Sequence, residues 1–81
     1  MGRSDQIVSE EIKTRIATLD APYRREIWLD EVLFESGMRL LRVTIKEGRR
    51  FTQLDLDAAT ADQWGQTLLN WARRSKEDQP E

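Results

Sequence analysis

The chain contains no cysteine and no histidine, and its 81 residues include only four glycines and two prolines. Without cysteine it has no disulfide staple and no thiolate nucleophile. Without histidine it lacks the usual general base near neutral pH, and with both missing it lacks the standard zinc ligands. No apolar run approaches the roughly 20 residues of a membrane span or resembles the core of a secretory signal. The expectation is a cytoplasmic, non-catalytic protein. Nor is there an excess of charge of one sign. Thirteen basic and fifteen acidic residues give a net charge of −2, so no overall field draws the molecule to nucleic acid or to an anionic membrane. Internal repeats and low-complexity segments are also missing.

What is present is concentrated between Arg39 and Ala72. Leu41, Val43 and Ile45 alternate with Arg42, Thr44 and Lys46, the period-2 pattern of a half-buried strand. Glu47-Gly48-Arg49-Arg50 follows as a turn. Glycine at its first central position suits a two-residue type II′ loop, which needs a positive φ there. With Gly48 and Arg49 as the loop, Glu47 faces Arg50, Ile45 faces Thr52, Val43 faces Leu54, Arg42 faces Asp55 and Leu41 faces Leu56. Both opposite-charge pairs and both aliphatic pairs fall into place together, each contributing roughly 0.2–1 kcal/mol, and a slip of one residue breaks them all.

Thr60-Ala61-Asp62-Gln63 matches a capping box and predicts a helix beginning there. Ala61, Trp64, Gly65, Leu68, Trp71 and Ala72 form one apolar stripe at helical spacing, expected to pack on the Leu41/Val43/Ile45/Leu54/Leu56 face. Gly65 costs roughly 1 kcal/mol relative to alanine in a helix interior, so a close approach of helix backbone to sheet is its expected use. Upstream, Tyr23 to Phe34 carries apolar residues on both faces and reads as a strand, with a helix capped at Asp20 as the competing reading. A Ser36-Gly37 loop would pair Val32 with Leu41, Leu33 with Leu40 and Glu31 with Arg42. It would also set Asp30 beside Val43 on the core face, a defect that a bulge or a longer loop would remove.

Residues 5–19 place Ile7, Val8, Ile12, Ile16 and Leu19 at helical intervals and predict an amphipathic helix ended by Asp20-Ala21-Pro22. The architecture expected is therefore α+β: an N-terminal amphipathic helix, a three-stranded antiparallel meander, and a C-terminal helix packed on one sheet face. Residues 5–74 form the single domain, 1–4 a flexible N-terminus, and 75–81 a disordered charged tail.

Three sets of residues are candidates for function. Asp55, Asp57 and Asp62 could approach a hard cation, but a partner in Arg42, a strand end and a helix first turn account for them structurally, so no metal or cofactor is expected. Leu29, Leu33, Leu40 and Phe51 leave the second sheet face more apolar than a solvated face normally is. A chain this short buries little core, so the leading reading is an interaction or subunit-like module that meets itself, as a homodimer, or a larger protein through those residues. The third set is Arg39, Arg42, Lys46, Arg49 and Arg50, with Tyr23 and Phe51 as stacking platforms, and supports single-stranded nucleic-acid binding as the alternative. The strands-then-helix layout of residues 27–74 is similar to that of the single-stranded-DNA-binding transcriptional coactivators, which implies such a role. The chain departs from them in showing no clear fourth strand and in setting Glu31, Glu47 and Asp55 against its basic residues.

Overall fold

A computed structural model describes residues 11–78. Strands β1 (Glu11–Ala21), β2 (Arg25–Phe34), β3 (Arg39–Glu47) and β4 (Arg50–Leu56) form one antiparallel sheet in the order β1-β2-β3-β4, and helix α1 (Ala58–Asp78) follows. The sheet therefore has four strands rather than three, and the segment expected to be an N-terminal helix is β1. Residues 5–10 of that expected helix, and the flexible N-terminus expected at 1–4, lie outside the described residues.

A β-bulge explains the helical appearance of β1. Arg15 pairs with Asp30 and Ala17 with Leu29, so Ile16 is an extra residue in the ladder. The insertion breaks strict alternation and brings Ile12, Ile16 and Leu19 to one side of the sheet at intervals of four and three, the spacing of a helix face.

The β3–β4 hairpin has the register expected from its turn, from Glu47 opposite Arg50 to Leu41 opposite Leu56. Gly48 sits at φ +63° while Arg49 stays out of the positive region, as a type II′ loop requires. The β2–β3 hairpin is displaced by one residue from the expected pairing. Its loop is Glu35-Ser36-Gly37, with Gly37 at φ +94°. The Phe34 N–H donates to the Met38 carbonyl at 2.9 Å, and the Gly37 N–H donates to the Phe34 carbonyl at 2.9 Å. Val32 consequently faces Leu40, Leu33 faces Arg39, Glu31 faces Leu41 and Asp30 faces Arg42. The longer loop removes the defect of an aspartate beside Val43.

Helix α1 starts at Ala58, ahead of the expected Thr60 cap. Asp57 caps it: its Oδ1 accepts from the Thr60 N–H at 2.8 Å, and its carbonyl accepts from the Ala61 N–H at 2.9 Å. The helix continues through Ser75 to Asp78, past residue 74 where the sequence reading ends the domain. The buried apolar core is small. Among the described residues it consists of Val32, Val43 and Leu56, joined by the buried polar residues Asp30 and Thr44.

Candidate interaction surface

The antiparallel register sorts the strand residues onto two faces of different chemistry. On the face away from α1, Arg15, Asp30, Arg42 and Asp55 stand opposite one another across all four strands. Arg15 donates through Nε to Asp30, whose side chain is almost wholly buried. Arg42 forks onto Asp55, with Nε to Oδ1 at 2.9 Å and a terminal nitrogen to Oδ2 at 3.1 Å. That pair of hydrogen bonds holds the Asp55 carboxyl below its ordinary range and Arg42 above its own. The expected Glu31-Arg42-Asp55 row is thus built with Asp30 in place of Glu31 and extended by β1.

Beside this row, the Arg15 guanidinium lies 4.9 Å from the centre of the Trp28 ring, and Trp28 meets Phe51 with ring centroids 5.8 Å apart. The indole N–H donates to Glu26 Oε1 at 3.0 Å. The charges of this row and the aromatic rings beside it are therefore satisfied by one another.

The helix-side face is the reverse. Leu19, Ile27, Leu29, Leu41, Val43, Ile45 and Leu56 from the sheet, with Ala61, Trp64, Gly65 and Leu68 from α1, line an almost wholly apolar cleft of about 300 Å³. The helix backbone comes close to β3 and β4 but not to β1 or β2. Ile12, Ile16, Leu19 and Leu54 remain half-exposed or more, as do Leu68 at 55% and Trp71 at 61%. The close approach expected at Gly65 does not occur, since nothing lies within 4 Å of a Cβ built there. An Arg25–Glu47 ion pair at 2.7 Å closes one end of the apolar band, and Arg39 with Glu31 at 3.7 Å stands toward the other.

The four residues expected to form one interface are divided between the faces. Leu29 and Leu33 belong to the helix-side face, while Leu40 and Phe51 belong to the opposite one. The surface that sequence reasoning missed includes Ile12, Ile16 and Leu19, hidden in the supposed helix, and the helix stripe itself, which was assigned wholly to the core. The basic set is divided too. Arg42 and Lys46 lie on the face away from α1, Arg39 and Arg50 on the helix-side face, and Arg49 at a hairpin tip. Asp55 is engaged by Arg42 and Asp57 by the helix start, which keeps the Asp57 carboxyl below its usual range. No three acidic side chains converge among the described residues.

Residues 10–74 match a family of unknown function (DUF6967). The chain belongs to that family. Its matched segment begins one residue before β1 and ends within α1, so all four strands and most of the helix are inside it. No curated protein and no solved structure matches the chain. No helix among the described residues is long and apolar enough to cross a membrane.

Proposed function

We propose that this member of the DUF6967 family is a non-catalytic interaction or subunit-like module, acting in the cytoplasm, whose binding surface is the apolar cleft between α1 and the sheet. The observation that carries the reading is the state of α1, whose apolar stripe faces a cleft it does not fill from Trp64 to Leu68 and leaves Trp71 exposed beyond it. Apolar surface left in water at this scale on so small a domain marks a place where another protein surface belongs. A cleft with almost no polar lining offers a small molecule nothing to fix its orientation, whereas an apolar protein element needs no such groups. Self-association is the simplest form of the reading. Light scattering across a dilution series tests it: twice the mass of one chain, falling to a single chain for Leu68→Glu, supports the proposal, and a single-chain mass at every concentration counts against self-association.

One observation favours the alternative of nucleic-acid binding. The β1–β2 and β3–β4 hairpins turn at the same end of the sheet, which sets Arg24 near Gly48, with Tyr23 and Arg49 next to them in the chain, and β1 supplies the fourth strand of the coactivator-like layout. On this reading, affinity for single-stranded oligonucleotide falls steeply with salt and with substitution of Arg24 and Arg49. The ion pairs of Arg25, Arg39 and Arg42 make it the weaker of the two.

A further inference from the structure

Resting on the self-association reading, we infer that the occupant of the cleft is helix α1 of a second copy, laid reciprocally over β1 and β2 in a two-fold dimer. The geometry of the sheet sets the space available. Four strands spaced about 4.8 Å apart make a face roughly two helix diameters wide, because a helix with its side chains is about 10 Å across. Helix α1 comes close to its own sheet only at β3 and β4, where Leu54 still stays half-exposed, and its backbone makes no close approach to β1 or β2. The β1–β2 half presents Ile12, Ile16, Leu19, Ile27 and Leu29, an apolar strip one helix wide.

The candidates to fill it are few. Residues 1–10 of the sequence include only one adjacent aliphatic pair, Ile7 and Val8, and a single terminal methionine, too little to cover the strip. Helix α1 has what the strip lacks. It is 21 residues long, about 31 Å at the usual rise, and its stripe carries Trp64, Leu68, Leu69 and Trp71 with 39–61% of their surface exposed. Strip and stripe belong to the same chain, so the contact is self-complementary and closes under a two-fold axis instead of propagating. Edge-to-edge pairing of β1 with β1 is the obvious competitor. The bulge at Ile16 blunts that edge.

The test uses the native chain. Isotope-labelled and unlabelled protein are mixed, and isotope-filtered NOEs are recorded after the mass in solution has been measured. Intermolecular NOEs from the Trp64 and Trp71 indoles to methyls of Ile16, Leu19 and Ile27 are expected, and Leu19→Glu should raise the dimer dissociation constant by about tenfold or more while leaving the monomer folded. A dimer whose intermolecular NOEs omit the β1 and β2 methyls overturns helix exchange and leaves self-association standing. A monomer under all conditions overturns both, and the cleft then belongs to residues 1–10 or to a different protein.

Discussion

The two faces of this sheet are built from the same four strands, yet one completes itself and the other does not. On the face away from α1, Arg15 and Arg42 each find an opposite charge on a neighbouring strand, and Trp28 lies against both Arg15 and Phe51. On the helix-side face the residues are better suited to a core, but a single helix is too narrow to cover four strands and much of the apolar surface stays open. Polar residues satisfied one against one can finish a surface within a single layer. Apolar residues need a second layer of matching width, and the described residues do not supply it.

The sharpest way to break the self-sufficient face is at β1. Arg15→Ala removes the hydrogen-bonded counterion of Asp30, which is only 2% exposed, leaving Arg42 across the next strand, and is expected to lower unfolding stability by about 2–4 kcal/mol in urea denaturation. Asp30→Ala should cost less, because Arg15 is half in water and can be rehydrated. Equal losses from the two substitutions would mean the pair does not act as a buried charge and its counterion. The open face responds differently: Leu68→Glu is expected to abolish association in sedimentation equilibrium with little change in the melting of the monomer, since that side chain is already more than half exposed.

A smaller effect belongs to the hairpin that fixes the register of both faces. Gly48→Ala places a side chain at φ +63° and should cost about 1 kcal/mol by thermal melting, a local conformational penalty with no steric partner. Gly65→Ala should act in the opposite sense. Measured in the Leu68→Glu background, where no second copy intervenes, it is expected to stabilise by up to about 1 kcal/mol, because the added methyl meets nothing and alanine is the better helix former. A loss there would show that the helix backbone closes onto the sheet in solution.

The smallest effect is electrostatic and divides the faces by pH. The Asp55 carboxyl is held below its ordinary value in the folded chain by Arg42, so its contribution is present above the unfolded value near about 4 and is lost as pH falls through the folded one. Acid unfolding of Arg42→Ala should therefore show a shallower dependence on pH below about 4 than the parent chain. The partial exposure of both partners keeps this difference small.

Residues 39–72 were legible because their determinants are local. A two-residue loop with glycine at its first position leaves one register for β3 and β4, and the five pairs it implies are all present. The β2–β3 pairing was legible only as a problem. The misplaced Asp30 pointed to a longer loop, but the choice of Glu35-Ser36-Gly37 depends on Asp30 gaining Arg15 on one side and Arg42 on the other, and Arg15 lies on a strand the sequence presented as a helix. β1 was illegible for a definite reason. A single inserted residue, Ile16, turns alternation into a three-and-four spacing, and the bulge is visible only once the partner strand is in place. The interaction surface suffered from the same error, since half of its apolar strip lies on β1.

The sequence by itself determined the β3–β4 hairpin, the helix after it, the ion pair between Arg42 and Asp55, and the absence of histidine and cysteine chemistry, because each depends on residue identity or on neighbours a few positions apart. Only the tertiary structure decided that β1 is a strand, that Asp30 rather than Glu31 joins the charge row, and that α1 leaves much of the sheet bare. Those outcomes depend on which strand lies beside which and on how wide a helix is compared with a sheet, and no short stretch of residues encodes either quantity.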